Sequence, residues 1–180
     1  MMKTLNVLCV AGSLRSSANS HAVMASMIAM LPQGSEVTHL DIGSLPHYDV
    51  DLENGELPVS VQQARQLAAQ ADAVLFAVPE YNHGIPGVLK NSLDWLSRPF
   101  KASPMQGKPV FFVTQSEGAL GGVRAQYQMR ETLSSMLCVL KPMPEMAIPF
   151  VHKKIEDGYL TDDATLTFID VQLKAFLASL

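Results

Sequence analysis

The chain is poor in charge, in aromatic rings and in cysteine. Only 17% of its 180 residues are charged and 7% are aromatic, and it has two cysteines. Low charge beside 48% hydrophobic residues excludes a disordered chain. Lys and Arg number 13 against 17 Asp and Glu, a net charge of −4, so the basic footprint of a nucleic-acid binder is missing. No window holds the roughly 18 to 20 consecutive apolar residues that span a bilayer. Lys3 followed by the short run Val7 to Ala11 is interrupted at Asn6, which suits a buried first strand better than a signal peptide. Cys9 and Cys138 lie far apart and make neither a disulfide framework nor a metal pair. They read as buried free thiols of a cytoplasmic protein. Five histidines, His21, His39, His47, His83 and His152, show no metal-ligand spacing, so no metal is expected.

What is present is alternation. Continuous apolar runs of β type are separated by stretches of helical periodicity, the pattern of a parallel sheet covered on both faces. Strands are expected at Leu5–Ala11, Glu36–Ile42, Ala73–Val78, Pro109–Thr114 and a short Cys138–Leu140 that resumes near Met143–Ile148. Helices are expected at about Ser20–Leu31, Val61–Gln70, Gly87–Ser97, Gly122–Leu137 and Asp163–Leu180. Ser60 with Gln63 suggests a capping box, and Pro86 stands where a first-turn proline is tolerated. Asp51–Pro58, with Asp51, Glu53 and Glu56, reads as a solvated acidic loop. Five βα units fill residues 1–180 as one α/β domain, a three-layer sandwich around a five-stranded parallel sheet.

Three loops would share the carboxyl edge of such a sheet, where ligands bind. They are Gly12–Ser20, Pro79–Gly87 and Gln115–Gly122, each rich in Gly, Ser, Asn or Pro. The first leads into a helix start, whose free N–H groups and partial positive charge suit a phosphate. Ser13, Ser16, Ser17 and Ser20 add hydroxyls, Asn19 an amide, and Arg15 a guanidinium able to pair with phosphate oxygens. G-x-G-x-x-G and G-x-x-x-x-G-K-[ST] are both absent, so a terminal monophosphate fits better than a bridging pyrophosphate. Asp41 therefore makes a poor ribose-binding acid. In the second loop Tyr81 can lie against a planar ligand, and Gly84 allows close backbone approach. The third loop, with Ser116, Gly118, Gly121 and Gly122, offers further backbone N–H groups. A planar heterocycle with a monophosphate tail is the ligand described, and FMN answers to it. Ser116 lacks the first Gly of G-x-S-x-G because Thr114 stands there, which argues against a hydrolase.

Gly12-Ser13-Leu14-Arg15 with Asn19, then Pro79-Glu80-Tyr81-Asn82, Pro86-Gly87, Leu89-Lys90-Asn91 and Asp94-Trp95-Leu96-Ser97-Arg98, resemble the NADPH-dependent FMN reductase family. That family is flavodoxin-like and includes quinone, chromate and azo-dye reductases. The resemblance implies an FMN phosphate held by Ser13, Arg15, Asn19 and Ser20. It implies a flavin ring lined by Pro79, Glu80, Tyr81 and Asn82, followed by His83 and Gly84, with Ser116 and Gly118 approaching its pyrimidine side. Arg15 reaches Asn19 in one residue fewer than the family's Arg-x-x-Ser-x-Asn spacing, which leaves Ser16, Ser17 and Ser20 as alternatives for the phosphate hydroxyl.

The expected activity is hydride transfer from NADPH or NADH through FMN to a quinone or similar small acceptor, in ping-pong order and without a catalytic side chain. A flavodoxin-type electron carrier is the alternative, though such carriers usually bear a more acidic face. A homodimer or homotetramer is expected from apolar surface left over on two helices: Val88, Leu89, Leu93, Trp95 and Leu96 on one, and Ala125, Met129, Thr132 and Met136 on the other. The core stripe of the latter is expected to be Val123, Leu133 and Leu137.

Overall fold

A computed structural model describes residues 5–180. Its central sheet contains β1 (Asn6–Ala11), β2 (Glu36–His39), β3 (Ala73–Pro79), β4 (Pro109–Gln115) and β5 (Val139–Leu140), all parallel, in the order β2-β1-β3-β4-β5. β6 (Ala147–Ile148) pairs with the far end of β4, opposite Thr114 and Gln115. The fifth strand is thus two short pieces on one partner. Pro142 and Pro144 fall between them and have no N–H to offer a ladder, which accounts for the break. The buried strands are apolar on both faces, as a sheet covered twice must be: Ala73 to Val78 are all fully buried.

Helices α1 (Asn19–Ala29) and α6 (Asp163–Leu177) cover one face, over Val7, Cys9, Leu75, Phe111 and Val113. Three others cover the opposite face, over Leu8, Val10, Val74, Phe76 and Phe112: α3 (Val59–Gln70), α4 (Gly87–Leu96) and α5 (Val123–Ser135). This is the flavodoxin-like arrangement, with the order of strands reversing between β1 and β3. No helix among the described residues is long and apolar enough to cross a membrane.

Several details differ from the sequence reading. β2 stops at His39, because a 3-10 turn follows at Ile42–Ser44, started by the Asp41 carboxylate accepting the Gly43 N–H at 3.0 Å. The stretch read as an acidic loop holds a short helix, α2 (Val50–Asn54). Glu53 is not simply solvated: it accepts the Tyr48 hydroxyl at 2.9 Å and pairs with Arg65 at 3.4 Å. The Ser60–Gln63 box does not form, since α3 begins at Val59 with Pro58 as its N-cap and no side-chain cap. An antiparallel hairpin, β7 (Ile155–Glu156) and β8 (Tyr159–Leu160), precedes α6, its turn made by left-handed Asp157 and Gly158. Cys9 is buried but Cys138 only half-buried, and burial pushes both thiols up to about 12.

The apolar surface expected to be left over on α4 and α5 is used inside the chain. Leu89, Leu93, Trp95 and Leu96 are fully buried, covered from the side by Ile42, Leu45, Tyr48 and Met105. Asn91 and Trp95 hold that cover down by donating to the Pro46 carbonyl at 2.9 and 2.7 Å. On α5 it is Ala125, Met129 and Leu133 that face the core, while Val123 is half-buried and Leu137 lies exposed past the helix end. Leu137 adopts φ +60°, and the Cys138 N–H bonds back to the Leu133 carbonyl at 3.0 Å, which stops the helix two residues early.

Candidate active site

The three loops leaving β1, β3 and β4 meet at one edge, as their composition suggests, and enclose a cleft of about 220 Å³. Its walls include Arg15, Asn19 and Ser20 from the first loop and helix start, Pro79, Glu80 and Tyr81 from the second, and Ser116 from the third. Seven of the expected site residues therefore line one space. Ser13 is buried beside it, its Oγ 3.3 Å from the Tyr81 hydroxyl and accepting the Arg15 N–H at 3.3 Å.

The first loop ends in a helix start that the chain leaves unfinished. Ala18 is the N-cap of α1 and supplies no side-chain acceptor, so no side chain caps the first turn, where the His21 N–H turns back to the Ala18 carbonyl at 2.9 Å. Ser20, in that first turn, is completely buried and its hydroxyl has no hydrogen-bond partner. Ser16 and Ser17 instead line a second hollow, between α1 and the β7–β8 hairpin, together with His21 and Tyr159. Of the three candidate serines, Ser20 is the one that faces the cleft. Asn19 donates to Glu117 at 3.4 Å, which brings a carboxylate to the same wall.

The second loop is clamped to α5 at two points. The Glu80 carboxylate accepts the N–H groups of Arg124 and Ala125, at 2.9 and 3.1 Å, and so caps α5 from outside the helix. Farther along, the Ile85 N–H donates to the Gln128 side chain at 2.7 Å. Gly84 makes room for that contact, because a Cβ there would lie 2.6 Å from the Gln128 Oε1. Between the clamps, Tyr81 and Gly84 exchange two backbone hydrogen bonds around Asn82 and His83, both at positive φ (48° and 66°). Two successive left-handed residues that are not glycine mark a backbone held against its preference, a condition concentrated at functional loops. Asn82, His83 and Gly84 sit on this turn, outside the cleft's walls.

In the third loop Ser116 accepts the Gly118 N–H at 3.0 Å, and Gly118 is exposed and not part of the wall. Gly121 and Gly122 have a packing role: at φ +62° and +85° they press against β6 and β4, and a Cβ on Gly121 would lie 2.8 Å from the Pro149 nitrogen. Sequence reasoning did not single out Gln115, Glu117, Ala18 or Val151, which also line the cleft. Val151 arrives from beyond β6, where its N–H donates to the Ser116 carbonyl at 3.1 Å.

Residues 5–153 match the family described as NADPH-dependent FMN reductase. The chain is 37% identical over 176 residues to an NAD(P)H-dependent FMN reductase of Pseudomonas aeruginosa, covering 97% of this chain and 95% of that protein. It is 36% identical over 180 residues to a quinone reductase of Escherichia coli K12, with 98% and 95% covered. Among solved structures it is similar to FerB of Paracoccus denitrificans, a flavoenzyme NAD(P)H:(acceptor) oxidoreductase. That similarity has a TM-score of 0.85 and 32% identity, over 97% of this chain and 96% of that one. A cleft at the strand-order switch, the motif residues lining it and full-length relatives of one kind converge: the chain belongs to the NADPH-dependent FMN reductase family and is an NAD(P)H-dependent oxidoreductase of the FMN or quinone reductase type.

Proposed function

We propose that residues 1–180 form one FMN-binding domain that oxidises NAD(P)H and passes the hydride to a quinone or similar small acceptor. The observation that carries the reading is the unfinished start of α1: a buried, unpartnered Ser20 hydroxyl in a first turn without a side-chain cap, beside a cleft that Arg15 also lines. A hydroxyl, a helix start and a guanidinium are the donors a terminal phosphate dianion needs, while the Glu117 carboxylate on the same wall is engaged by Asn19. A flavin held there would supply the hydride-relay chemistry between NAD(P)H and the second substrate, the expected order being ping-pong.

The chain's own part is to bind and orient. Arg15, Ser20 and the first turn of α1 would hold the phosphate. Tyr81, 48% exposed on a clamped turn, provides a flat surface beside the ring position, and Ser13 braces its hydroxyl. Glu80 serves the site through α5, which it caps, and so fixes where the Tyr81 turn sits. Asn82, His83 and Gly84 on the turn, with Ser116 and Gly118 on the third loop, would offer backbone and side-chain hydrogen-bonding groups to the ring of a flavin held in the cleft.

The test is direct. Purified protein given FMN should show a bound-flavin absorption spectrum and oxidise NADPH or NADH with a quinone, with parallel double-reciprocal lines for the two substrates. Bound FMN without NAD(P)H turnover would indicate an electron carrier instead. The expected assembly, a homodimer or homotetramer, is checked by light scattering at micromolar concentration.

A further inference from the structure

The cleft carries a buried amide that a phosphate cannot satisfy. Gln115 is the last residue of β4 and only 1% exposed, and neither its Nε2 nor its Oε1 has a hydrogen-bond partner. Elsewhere the fold pairs such groups: Gln126, equally buried, accepts the Thr114 hydroxyl at 3.1 Å. Slack in the strand end does not explain the difference. The Gln115 carbonyl accepts the Glu80 N–H at 3.1 Å, and Gly122 lies so close that a Cβ on it would stand 3.2 Å from the Gln115 nitrogen and oxygen. A buried amide with both ends unpaired destabilises the protein that carries it. A partner that arrives with a ligand removes that penalty.

The position of Gln115 narrows what that ligand offers. Side chains alternate along a strand, so Gln115 faces the same side as Phe111 and Val113, the side that α1 covers. Ser20 and Val151 line the cleft there, whereas Tyr81 belongs to the loop after β3. A phosphate has acceptor oxygens only and would leave the Gln115 Oε1 unpaired. A chain of hydroxyl groups both donates and accepts, and matches the two ends of an amide.

Given the FMN reading of the cleft, on which this inference rests, we propose that Gln115 is a flavin-binding residue that reads the hydroxylated linker between phosphate and ring. Its Nε2 donates to one linker hydroxyl and its Oε1 accepts from another. The free protein pays for this with a less stable strand end, so affinity and stability oppose each other at this one position.

The experiment compares wild type with Gln115→Met, similar in length and without polar atoms. It uses thermal unfolding of the apoprotein and fluorescence titration with two ligands. One ligand is FMN, and the other is an FMN analogue whose linker is an unhydroxylated pentyl chain. The variant apoprotein should melt at a higher temperature than wild type, while its FMN dissociation constant rises about tenfold. Wild type should prefer FMN over the analogue, and in Gln115→Met that preference should shrink by about the same factor. Gln115→Leu should behave alike. An unchanged FMN affinity, an unchanged preference, or an apoprotein that is less stable or unfolded would each overturn the proposal. Failure of wild type to bind FMN would instead remove the FMN reading on which it rests.

Discussion

Helices α1 and α6 lie on the same face of the sheet, yet they begin in opposite ways. At the start of α6, Asp162 accepts the Thr165 N–H at 3.0 Å, the Thr165 hydroxyl, and the Lys154 ammonium at 3.1 Å. The Asp162 carboxylate, the Thr165 N–H and hydroxyl and the Lys154 ammonium answer one another within the chain. At the start of α1 the N-cap is Ala18, the Ser20 hydroxyl is buried without a partner, and the nearest guanidinium stands at the cleft. A third start, that of α5, is completed from a distance by Glu80. The starts of α3 and α4, at Pro58 and Pro86, also lack a side-chain cap. What sets α1 apart is the buried, unpartnered Ser20 hydroxyl in its first turn, beside the cleft.

The comparison can be broken most sharply at Arg15. If its guanidinium answers a phosphate, Arg15→Ala removes a charge-assisted contact of about 1.5 to 3 kcal/mol and raises the FMN dissociation constant roughly 10- to 150-fold. Riboflavin, which has no phosphate, should bind the variant and the wild type alike. Fluorescence titration of apoprotein with both flavins decides, and equal losses for the two would place the phosphate elsewhere. Ser20→Ala comes next, with FMN weakened about tenfold. Because the hydroxyl is unpartnered in the free protein, the apoprotein's melting temperature should hold or rise, and a fall would show that Ser20 belongs to the fold.

Glu80→Ala moves the test to the start completed from outside. Loss of a helix cap costs about 1 kcal/mol, or roughly 2 to 4 °C in melting temperature at this chain length. The apoprotein itself should show it, unlike the Arg15 and Ser20 variants. The smallest effect is expected at α6, where Asp162→Ala should lower the melting temperature slightly and leave FMN affinity untouched. Its pH dependence has a definite sign. Thr165, with Lys154, holds the Asp162 carboxyl below its ordinary value of 3.8. A depressed carboxyl contributes stability that is complete above 3.8 and disappears as pH falls through the folded value. The gap between wild type and variant should therefore be constant near neutrality and close below about pH 4; a gap that widens in acid would contradict it.

Much of this was readable from residues. Runs such as Ala73 to Val78 are apolar at every position, which a strand covered on both faces requires, and all of them are buried. The loops after β1, β3 and β4 announced themselves through composition and do converge. What escaped depended on distant partners. Helix α2 is five residues long, and Glu53 within it is held by Tyr48 and by Arg65 twelve positions on, which no local propensity reveals. Leu89 and Trp95 looked surplus because the segment that covers them, around Leu45 and Tyr48, has no apolar periodicity of its own. Gln115 hid at the end of a strand, where a polar residue reads as the first of a loop. The β7–β8 turn did carry a signal, Asp157-Gly158 between Glu156 and Tyr159, the residue pair such turns demand.

The split fifth strand has a consequence for how copies of this chain meet. A parallel sheet ends in two edges, and a long open edge invites a strand from another molecule to add to it. Here one edge is the four-residue β2, and the other is two dipeptide strands separated by Pro142 and Pro144. Neither presents a ladder long enough for a stranger to extend. The detour that carries Val151 to the cleft thus also keeps a strongly apolar sheet from growing into aggregates.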